Sequence, residues 1–335
     1  MKHLTNEKRS ILLLLLLTAL FLFMAIMSIN IGDVALTLDQ ILAALTGNGS
    51  KTEHLLLWVV RMPRAAVAML VGITLAVAGA VMQGVTRNPL ATPSMVGISS
   101  GASLATLIVI YLYDRGLGFL FPLPMAAILG GLGTFTLVYF LALRFDLSPV
   151  KLILNGIAIN SCIGAVNLLL TMKLSDVAYT MKDVVMGGSL TYATWDMIGI
   201  ATLITIPCIV FIIYKAIHLN ILNLGEEIAV GLGINLKRER KHLLYATVIL
   251  SSVCAYIAGG IGFIGMIAPH IAKRLVGPNY KYFLPLSICL GADLVLFADI
   301  VSRYLVNNGQ FVPIGTLISL IGAPYLLYLL FAEDR

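Results

Sequence analysis

The chain has 335 residues, of which 59% are hydrophobic and 11% charged, and its mean hydropathy is +0.98. Soluble domains carry about a quarter charged residues. This composition therefore excludes a soluble protein and predicts an all-α polytopic membrane protein. The net charge of +6 is attributed to orientation in the membrane and not to nucleic-acid binding, because basic residues of membrane proteins mostly set their topology.

Apolar runs of about 20 residues predict the membrane spans. The first run is too long for a signal peptide, and no clear small-residue cleavage site follows it, so we interpret it as a retained span. A shorter, proline-interrupted helix is expected at 263–275. This gives about ten helices in a single domain covering residues 1–335. The predicted spans are 11–31, 64–86, 94–113, 120–143, 149–171, 194–214, 242–262, 281–306 and 312–332.

The second predicted span carries a stripe of small residues, which is typical of closely packed membrane helices. Gly72, Ala76, Ala80 and Gly84 recur every four residues. Dense helix packing is sufficient to explain this pattern, so it predicts a tight bundle and no particular activity.

The chain breaks after this span, where Asn88-Pro89 and Pro93 interrupt the helix. Irregular backbone near membrane depth needs cover from protein or water, so this break is either a plain turn or the edge of a pathway. Polar residues of later spans are also costly in the membrane unless they are paired or face a cavity; these are Asn155, Asn160, Asn167, Asp293 and Asp299. The candidate pathway or gate residues are Gln83, Asn88, Pro89, Asn155 and Asn160.

The segment at 220–241 is rich in charge, although apolar spans flank it on both sides. Residues 224–232 can form about two helical turns that end near Gly231 and Gly233. Asn235 can then cap a second helix. On pattern alone, the segment is either a solvated connector or a docking surface for a cytoplasmic partner.

The distribution of basic residues predicts the orientation. With the N-terminus inside, fifteen Lys and Arg residues fall on the cytoplasmic side and seven on the outer side. Both termini and residues 220–241 are then expected in the cytoplasm. Arg61, Arg64 and Arg303 remain on the outer side. Arg303 lies one helical turn after Asp299 and could pair with it.

No catalytic constellation is visible in the sequence. The histidines never fall at metal-ligand spacing, and the cysteines are scattered singly. The stretch GNGSKT at 47–52 lacks the glycine that precedes the lysine of a phosphate loop. We therefore expect no metal, no cofactor and no nucleotide site. The glycine pattern GIGFIG at 260–265 follows no predicted strand, so we interpret it as helix packing or a hinge.

Several motifs, in order from about residue 58 to the C-terminus, resemble FecCD-type membrane permease subunits of ABC importers for iron-siderophore, haem or vitamin B12. They include RMPR at 61–64, AGAVMQ at 78–83, NPLA at 88–91, LGE at 224–226, GFIG at 262–265, LFAD at 296–299 and PIG at 313–315. The resemblance implies a type II ABC importer bundle like that of the vitamin B12 importer.

The resemblance also implies partners and a function. The chain would pair with a second permease subunit, identical or paralogous, around a shared pathway. A cytoplasmic ABC ATPase dimer would hydrolyse ATP, so the chain itself would not be an enzyme. An extracytoplasmic binding protein, either lipoprotein or periplasmic, would deliver a ferric siderophore for passage across the cytoplasmic membrane. A haem or cobalamin importer, and an ion-coupled secondary transporter from another class, remain alternatives.

The resemblance assigns roles to two sets of residues. Arg61, Arg64 and Arg303 would bind carboxylates of the binding protein, because guanidinium groups pair bidentately with carboxylates. Anchoring at the membrane interface is the alternative. The ATPase-coupling residues would be Leu224, Gly225, Glu226, Ile228, Ala229, Leu232 and Gly233. Within that set, the four residues with Leu, Ile and Ala side chains would form an apolar contact face, with the glutamate capping or pairing at its edge.

Overall fold

The structure is a computed structural model that describes residues 6–31, 36–117, 121–143, 149–186, 188–307 and 312–333. Every regular element in these ranges is helical, in agreement with the all-α expectation. In chain order the helices are α1 (Asn6–Asn30), α2 (Leu38–Leu45), α3 (Lys51–Leu55), a π-helical turn (Leu56–Arg61), α4 (Met62–Thr86), a 3-10 turn (Pro93–Val96), α5 (Ile98–Asp114), α6 (Leu123–Leu143), α7 (Pro149–Thr171), α8 (Asp176–Met186), α9 (Trp195–Tyr214), α10 (Ala216–Leu224), α11 (Glu226–Gly231), α12 (Leu236–Ala258), α13 (Ile264–Val276), α14 (Tyr280–Asn307) and α15 (Ile314–Glu333).

Seven of the described helices are long and apolar enough to cross a membrane: α1, α4 with the turns before it, α6, α7, α9, α12 and α14. Two shorter apolar helices, α5 and the described part of α15, accompany them. The short proline-containing helix expected at 263–275 is α13. Together these helices account for the ten that the sequence predicts.

Several predicted spans begin at other positions in the structure, and for two of them the local reason is clear. The span predicted at 94–113 begins only at Ile98, because Pro93–Val96 forms a 3-10 turn and Gly97 adopts the left-handed conformation at φ 90°. The span predicted at 242–262 begins earlier, at Leu236. There the Asn235 side chain accepts a hydrogen bond from the backbone of Arg238 at 3.1 Å and caps a helix that runs uninterrupted into the membrane.

Four short helices, α2, α3, α8 and α10, were not predicted from the sequence. Two of them begin with capping boxes, Thr37 with Gln40 and Ser50 with Glu53, in which each side chain bonds the backbone of the other residue. This signal is present in the sequence and could have identified α2 and α3.

Helix α4 forms the centre of the bundle and packs against α12, α13 and α14. A Cβ atom on Gly72 would overlap the backbone of Gly291 on α14. Farther along, the Tyr280 hydroxyl donates a hydrogen bond to the carbonyl of Ala80 at 2.6 Å. The predicted small-residue stripe therefore faces α14. One helical position away, Gly79 meets the backbone of Gly265 on α13, which agrees with the packing interpretation for Gly265. Gly260 and Gly262 lie in the connection before α13, and a Cβ on Gly262 would meet no atom within 4 Å.

Candidate functional site

At the predicted outer end of the bundle, Arg303 binds the end of α1. Its guanidinium donates hydrogen bonds to the carbonyls of Ser28 at 2.6 Å and Ile31 at 2.9 Å, and it also bonds the Ser28 hydroxyl. A helix end leaves its last carbonyls without intrahelical donors. Arg303, only 7% exposed, supplies donors to that end.

Asp299 lies between two arginines and is fully buried. One carboxylate oxygen accepts from Arg303 at 2.6 Å, and the other accepts from Arg64 at 2.7 Å. The Asp299–Arg303 pair predicted from the sequence is confirmed. The second partner, Arg64, reaches the same carboxylate from α4 and could not be inferred from helical spacing.

Arg61 completes this outer arginine network, which we define as Arg61, Arg64, Asp299 and Arg303. Its guanidinium donates to the carbonyls of Ile29 at 2.7 Å and Asn30 at 3.1 Å, and its side chain is buried. The structure thus brings the three predicted arginines together. In this conformation they hold α1, α4 and α14 to one another, and their role in docking a binding protein stays a prediction.

At the opposite end, the segment between α9 and α12 folds as two short helices joined at Gly225. This residue adopts φ 129° and ψ 157°, a conformation that favours glycine. The start predicted for the helix at 224–232 is therefore wrong. Leu224 is the last residue of α10, and α11 begins at Glu226. Gly233 follows α11 with φ 82°, as expected for a helix end.

Glu226 fixes α11 to two other elements. One of its oxygens accepts from Arg240 of α12 at 2.6 Å and from Arg87 at 3.1 Å. The hydrogen bond from Arg240 is the main reason that the pKa of Glu226 lies below its usual value, and the charges of Arg240 and Arg87 add to this effect. The carboxylate therefore stays ionised at neutral pH, as the predicted pairing role requires.

The exposed face of this segment differs in one residue from the predicted apolar face. Leu224, Ile228 and Leu232 are exposed, but Ala229 is fully buried in the hydrophobic core. Ala229 is therefore not part of the exposed face in this structure. Val230, which the sequence analysis did not include, is exposed. We call Leu224, Ile228, Val230 and Leu232 the inner apolar patch.

The five candidate pathway residues lie in two separate places. Gln83 and Pro89 line a groove of about 710 Å³ beside α10 and the α13–α14 connection. The Gln83 amide donates to the carbonyl of Met266 at 3.2 Å, so it also ties α4 to α13. The Asn88 side chain accepts from the backbone of Leu90 at 2.9 Å, as in a simple turn.

Asn155 and Asn160 are on α7, away from that groove. Asn160 donates to the carbonyl of Ser94 at 3.1 Å and also bonds the Ser100 hydroxyl. It therefore supports the 3-10 turn before α5. Within the described part of the chain, the Asn155 amide nitrogen is buried and has no hydrogen-bond partner.

A larger cavity, of about 890 Å³, was not predicted from the sequence. Its walls come from α5, α8, α12 and the connection at 259–263, and none of the five candidate pathway residues lines it. Its polar side chains are mostly scattered serines and threonines, which carry no recognisable motif. Two features of the sequence do reach its wall: Pro93 of the break after the second span, and the glycine pattern at 260–265.

Across the described ranges, no group of three or more His, Cys, Asp and Glu side chains is placed to hold a metal ion. The geometry is instead that of a helical bundle with an arginine network at one end and an exposed apolar patch at the other. A family model described as the FecCD transport family matches residues 19–332. The chain belongs to the FecCD transport family.

Curated relatives cover nearly the whole of this FecCD chain. The iron(3+)-hydroxamate import system permease protein FhuG of Bacillus subtilis is 36% identical, over 98% of this chain and 99% of the relative. The Fe(3+)-citrate import system permease protein YfmE of the same organism is also 36% identical, over 98% of both chains. The hemin transport system permease protein HmuU of Yersinia pestis is 34% identical, over 96% of both.

Solved structures agree with the FecCD assignment. An inward-facing structure of an ABC transporter, assigned to the metal-chelate type, superposes with a TM-score of 0.84 at 29% identity, over 95% of this chain and 98% of that one. The PsaBC structure from Streptococcus pneumoniae matches at a TM-score of 0.55 and 17% identity, over 87% of this chain and 95% of that one, and shows only a shared fold. The FecCD chain is a multi-pass membrane permease of the ABC transporter type.

Proposed function

We propose that this permease is the membrane subunit of an ABC importer that moves a ferric siderophore across the cytoplasmic membrane. The observation that carries the proposal is the inner apolar patch on α10 and α11, held in a defined position by the Glu226 ion pairs. Relatives named for ferric hydroxamate, ferric citrate and haemin import support an iron chelate as the ligand.

The inner apolar patch suits docking to separate cytoplasmic ATPase subunits. Short helices that present Leu, Ile and Val side chains to solvent are costly unless a partner covers them. A groove of the partner would receive the apolar side chains of α11. Arg240 is almost fully buried beneath Glu226, so movement of α11 would be passed directly to α12.

The outer arginine network supports docking of an extracytoplasmic binding protein. Among the described residues, the Arg64 and Arg303 guanidiniums share one carboxylate, Asp299, so this pair of cations has a surplus of positive charge. Carboxylates on a binding protein would be attracted to this surplus. A second permease subunit, identical or paralogous, would complete the pathway, and the chain would have both termini in the cytoplasm.

Reconstitution in proteoliposomes tests the proposal. The complex would contain this permease, its partner permease, the ATPase and the binding protein, and the readout would be uptake of radioiron-labelled ferric siderophore with and without ATP. We expect uptake to require ATP. In the double variant Ile228→Ser/Leu232→Ser, we expect at least a tenfold loss of uptake while the ATPase remains active.

A matched control separates docking from folding. Leu45 is also an exposed leucine, but it lies on α2 at the predicted outer side, so Leu45→Ser should transport normally. Uptake that persists without the ATPase and follows an ion gradient would overturn the proposal in favour of a secondary transporter. ATP-dependent uptake of haemin or cobalamin, with no uptake of siderophores, would overturn the proposed ligand and leave the assignment as an ABC importer intact.

A further inference from the structure

The larger cavity opens to the surface of the chain and extends into the bundle. Val177 of α8 and Tyr192, between α8 and α9, are strongly exposed at its edge. Its inner wall includes Leu75 of α4, Ser251 of α12 and Gly265 of α13. Its volume of about 890 Å³ is at the upper end of small-molecule sites, roughly 300–1,000 Å³.

The lining is free of charge wherever the structure describes it. No Asp, Glu, Lys, Arg or His side chain lines the cavity among the described residues. The polar groups are almost all hydroxyls, and a hydroxyl can both donate and accept a hydrogen bond. The rest of the wall is apolar and includes three methionine side chains, Met181, Met186 and Met197, which are flexible and adapt to irregular surfaces.

One of these hydroxyls points to a ligand. Ser251 lines the cavity and is only 7% exposed, yet its oxygen has no hydrogen-bond partner in the described structure. A buried polar group without a partner is costly. On α5, the Ser103 oxygen accepts from Asn167 at 3.1 Å, and its only other described contact is a weak one to the Met186 sulfur at 3.9 Å. Ligand oxygens could therefore engage both serines.

We propose that this cavity binds the transported iron chelate, and that it favours electroneutral chelates of the ferric trihydroxamate class over anionic ones such as ferric citrate. This inference rests on the proposed function. A cavity whose described lining carries no charged side chain gives an anion no counter-ion there, so the anion would lose its hydration without compensation. A neutral trihydroxamate presents carbonyl oxygens to the serine hydroxyls and apolar chains to the remaining wall.

Sequence similarity does not make this distinction. The hydroxamate and citrate permeases of Bacillus subtilis are equally similar to this chain, at 36% identity each. The distinction comes from the absence of charged side chains in the described part of this chain's cavity wall.

Equilibrium binding to the permease complex in nanodiscs, without the binding protein, tests this inference. Two radioiron-labelled probes would be compared: ferrichrome, which is an uncharged trihydroxamate, and ferric citrate. Omitting the binding protein removes its selectivity from the measurement. We expect ferrichrome to bind at least tenfold more tightly than ferric citrate, and Ser251→Ala to weaken ferrichrome binding about threefold to tenfold.

Ser252→Ala provides the matched control. Ser252 is the next residue of α12 and is also buried, with no hydrogen-bond partner described for its oxygen. It faces Gly131 of α6 and does not line the cavity, so its removal should leave binding unchanged. As a converse test, Ser103→Lys should narrow or reverse the preference by giving citrate a counter-ion.

Equal binding of the two chelates, no binding of either, or equal effects of the two alanine variants would overturn the inference. These outcomes are separate from a failure of the proposed function. Transport in proteoliposomes depends on ATP, the ATPase and the binding protein, whereas this binding preference requires none of them. An importer that shows ATP-driven uptake but no preference at the permease would retain the proposed function and lose this inference.

Discussion

At the scale of single residues, the chain carries two buried acids on one helix, and their surroundings differ. Asp299 is bound by two arginines. Asp293, six residues earlier on α14, is also buried, but neither of its oxygens has a hydrogen-bond partner in the described structure. The same substitution, Asp to Asn, should therefore affect stability differently at these two positions.

We expect Asp299→Asn to destabilise the protein strongly. The change leaves the buried Arg303 and the largely buried Arg64 without their shared counter-charge, and breaking a buried ion pair in this way costs about 3–5 kcal/mol. Thermal unfolding in detergent should show a fall in apparent Tm of at least about 5 °C.

The control for this prediction is Asp293→Asn, which removes a carboxyl group that forms no described hydrogen bond. We expect it to leave the apparent Tm unchanged or to raise it, because the amide is easier to bury than a carboxylate. An equal fall in apparent Tm for the two variants would contradict this prediction, because it would show that burial of the carboxyl group, and not its ion pairing, determines the loss of stability.

At the scale of elements, the bundle depends on backbone contacts that only glycine permits. Gly79→Ala should destabilise the α4–α13 contact, because the new methyl group would overlap the carbonyl oxygen of Gly265. Overpacking of this kind costs about 1–3 kcal/mol. Gly133→Ala on α6 is the matched control, since a Cβ there meets no atom within 4 Å. It should be neutral or slightly stabilising, and unfolding of both variants under identical conditions checks this difference.

The contact between the π-helical turn before α4 and the start of α9 gives a second prediction at this scale. The chain has two tryptophans, and they pack together: the Trp195 indole donates to the carbonyl of Trp58 at 2.7 Å, with ring centroids 6.4 Å apart. Tryptophans concentrate at membrane interfaces. We expect lipids brominated near the head group to quench the tryptophan emission more strongly than lipids brominated near the bilayer centre.

In the variant Trp58→Phe, the emission comes from Trp195 alone. We expect the head-group bromines to quench it more strongly than the deep bromines. Stronger quenching by deep bromines would place the start of α9 within the hydrocarbon layer and contradict the expected span boundary.

The sequence predicted the features that depend on the residues of a single helix. It did not predict contacts between segments that are distant along the chain. Helical spacing predicted the Asp299–Arg303 pair, and apolar runs predicted the spans closely. The Arg64–Asp299 bond joins residues 235 positions apart, so no local pattern contains it. Likewise, the break at Gly225 and the burial of Ala229 depend on how α11 packs onto α12, which helical periodicity does not specify.

At the scale of the whole molecule, the orientation can be measured directly. We expect a membrane-impermeant maleimide to label Lys51→Cys in intact cells and to label Arg238→Cys only after permeabilisation, because both positions are exposed but lie at opposite predicted sides. The exposed native cysteine, Cys162, would first be replaced by serine. Labelling of Arg238→Cys in intact cells would reverse the proposed topology.

The long helical run Lys51–Thr86 has one more consequence. It continues without a gap for 36 residues, which corresponds to about 54 Å at 1.5 Å per residue. Arg64, thirteen residues after the start of this run, is bound to Asp299, and Arg87, just beyond its end, is bound to Glu226. The two ion pairs lie at opposite ends of α4, so a displacement of α11 would reach the opposite surface of the membrane as a movement of α4.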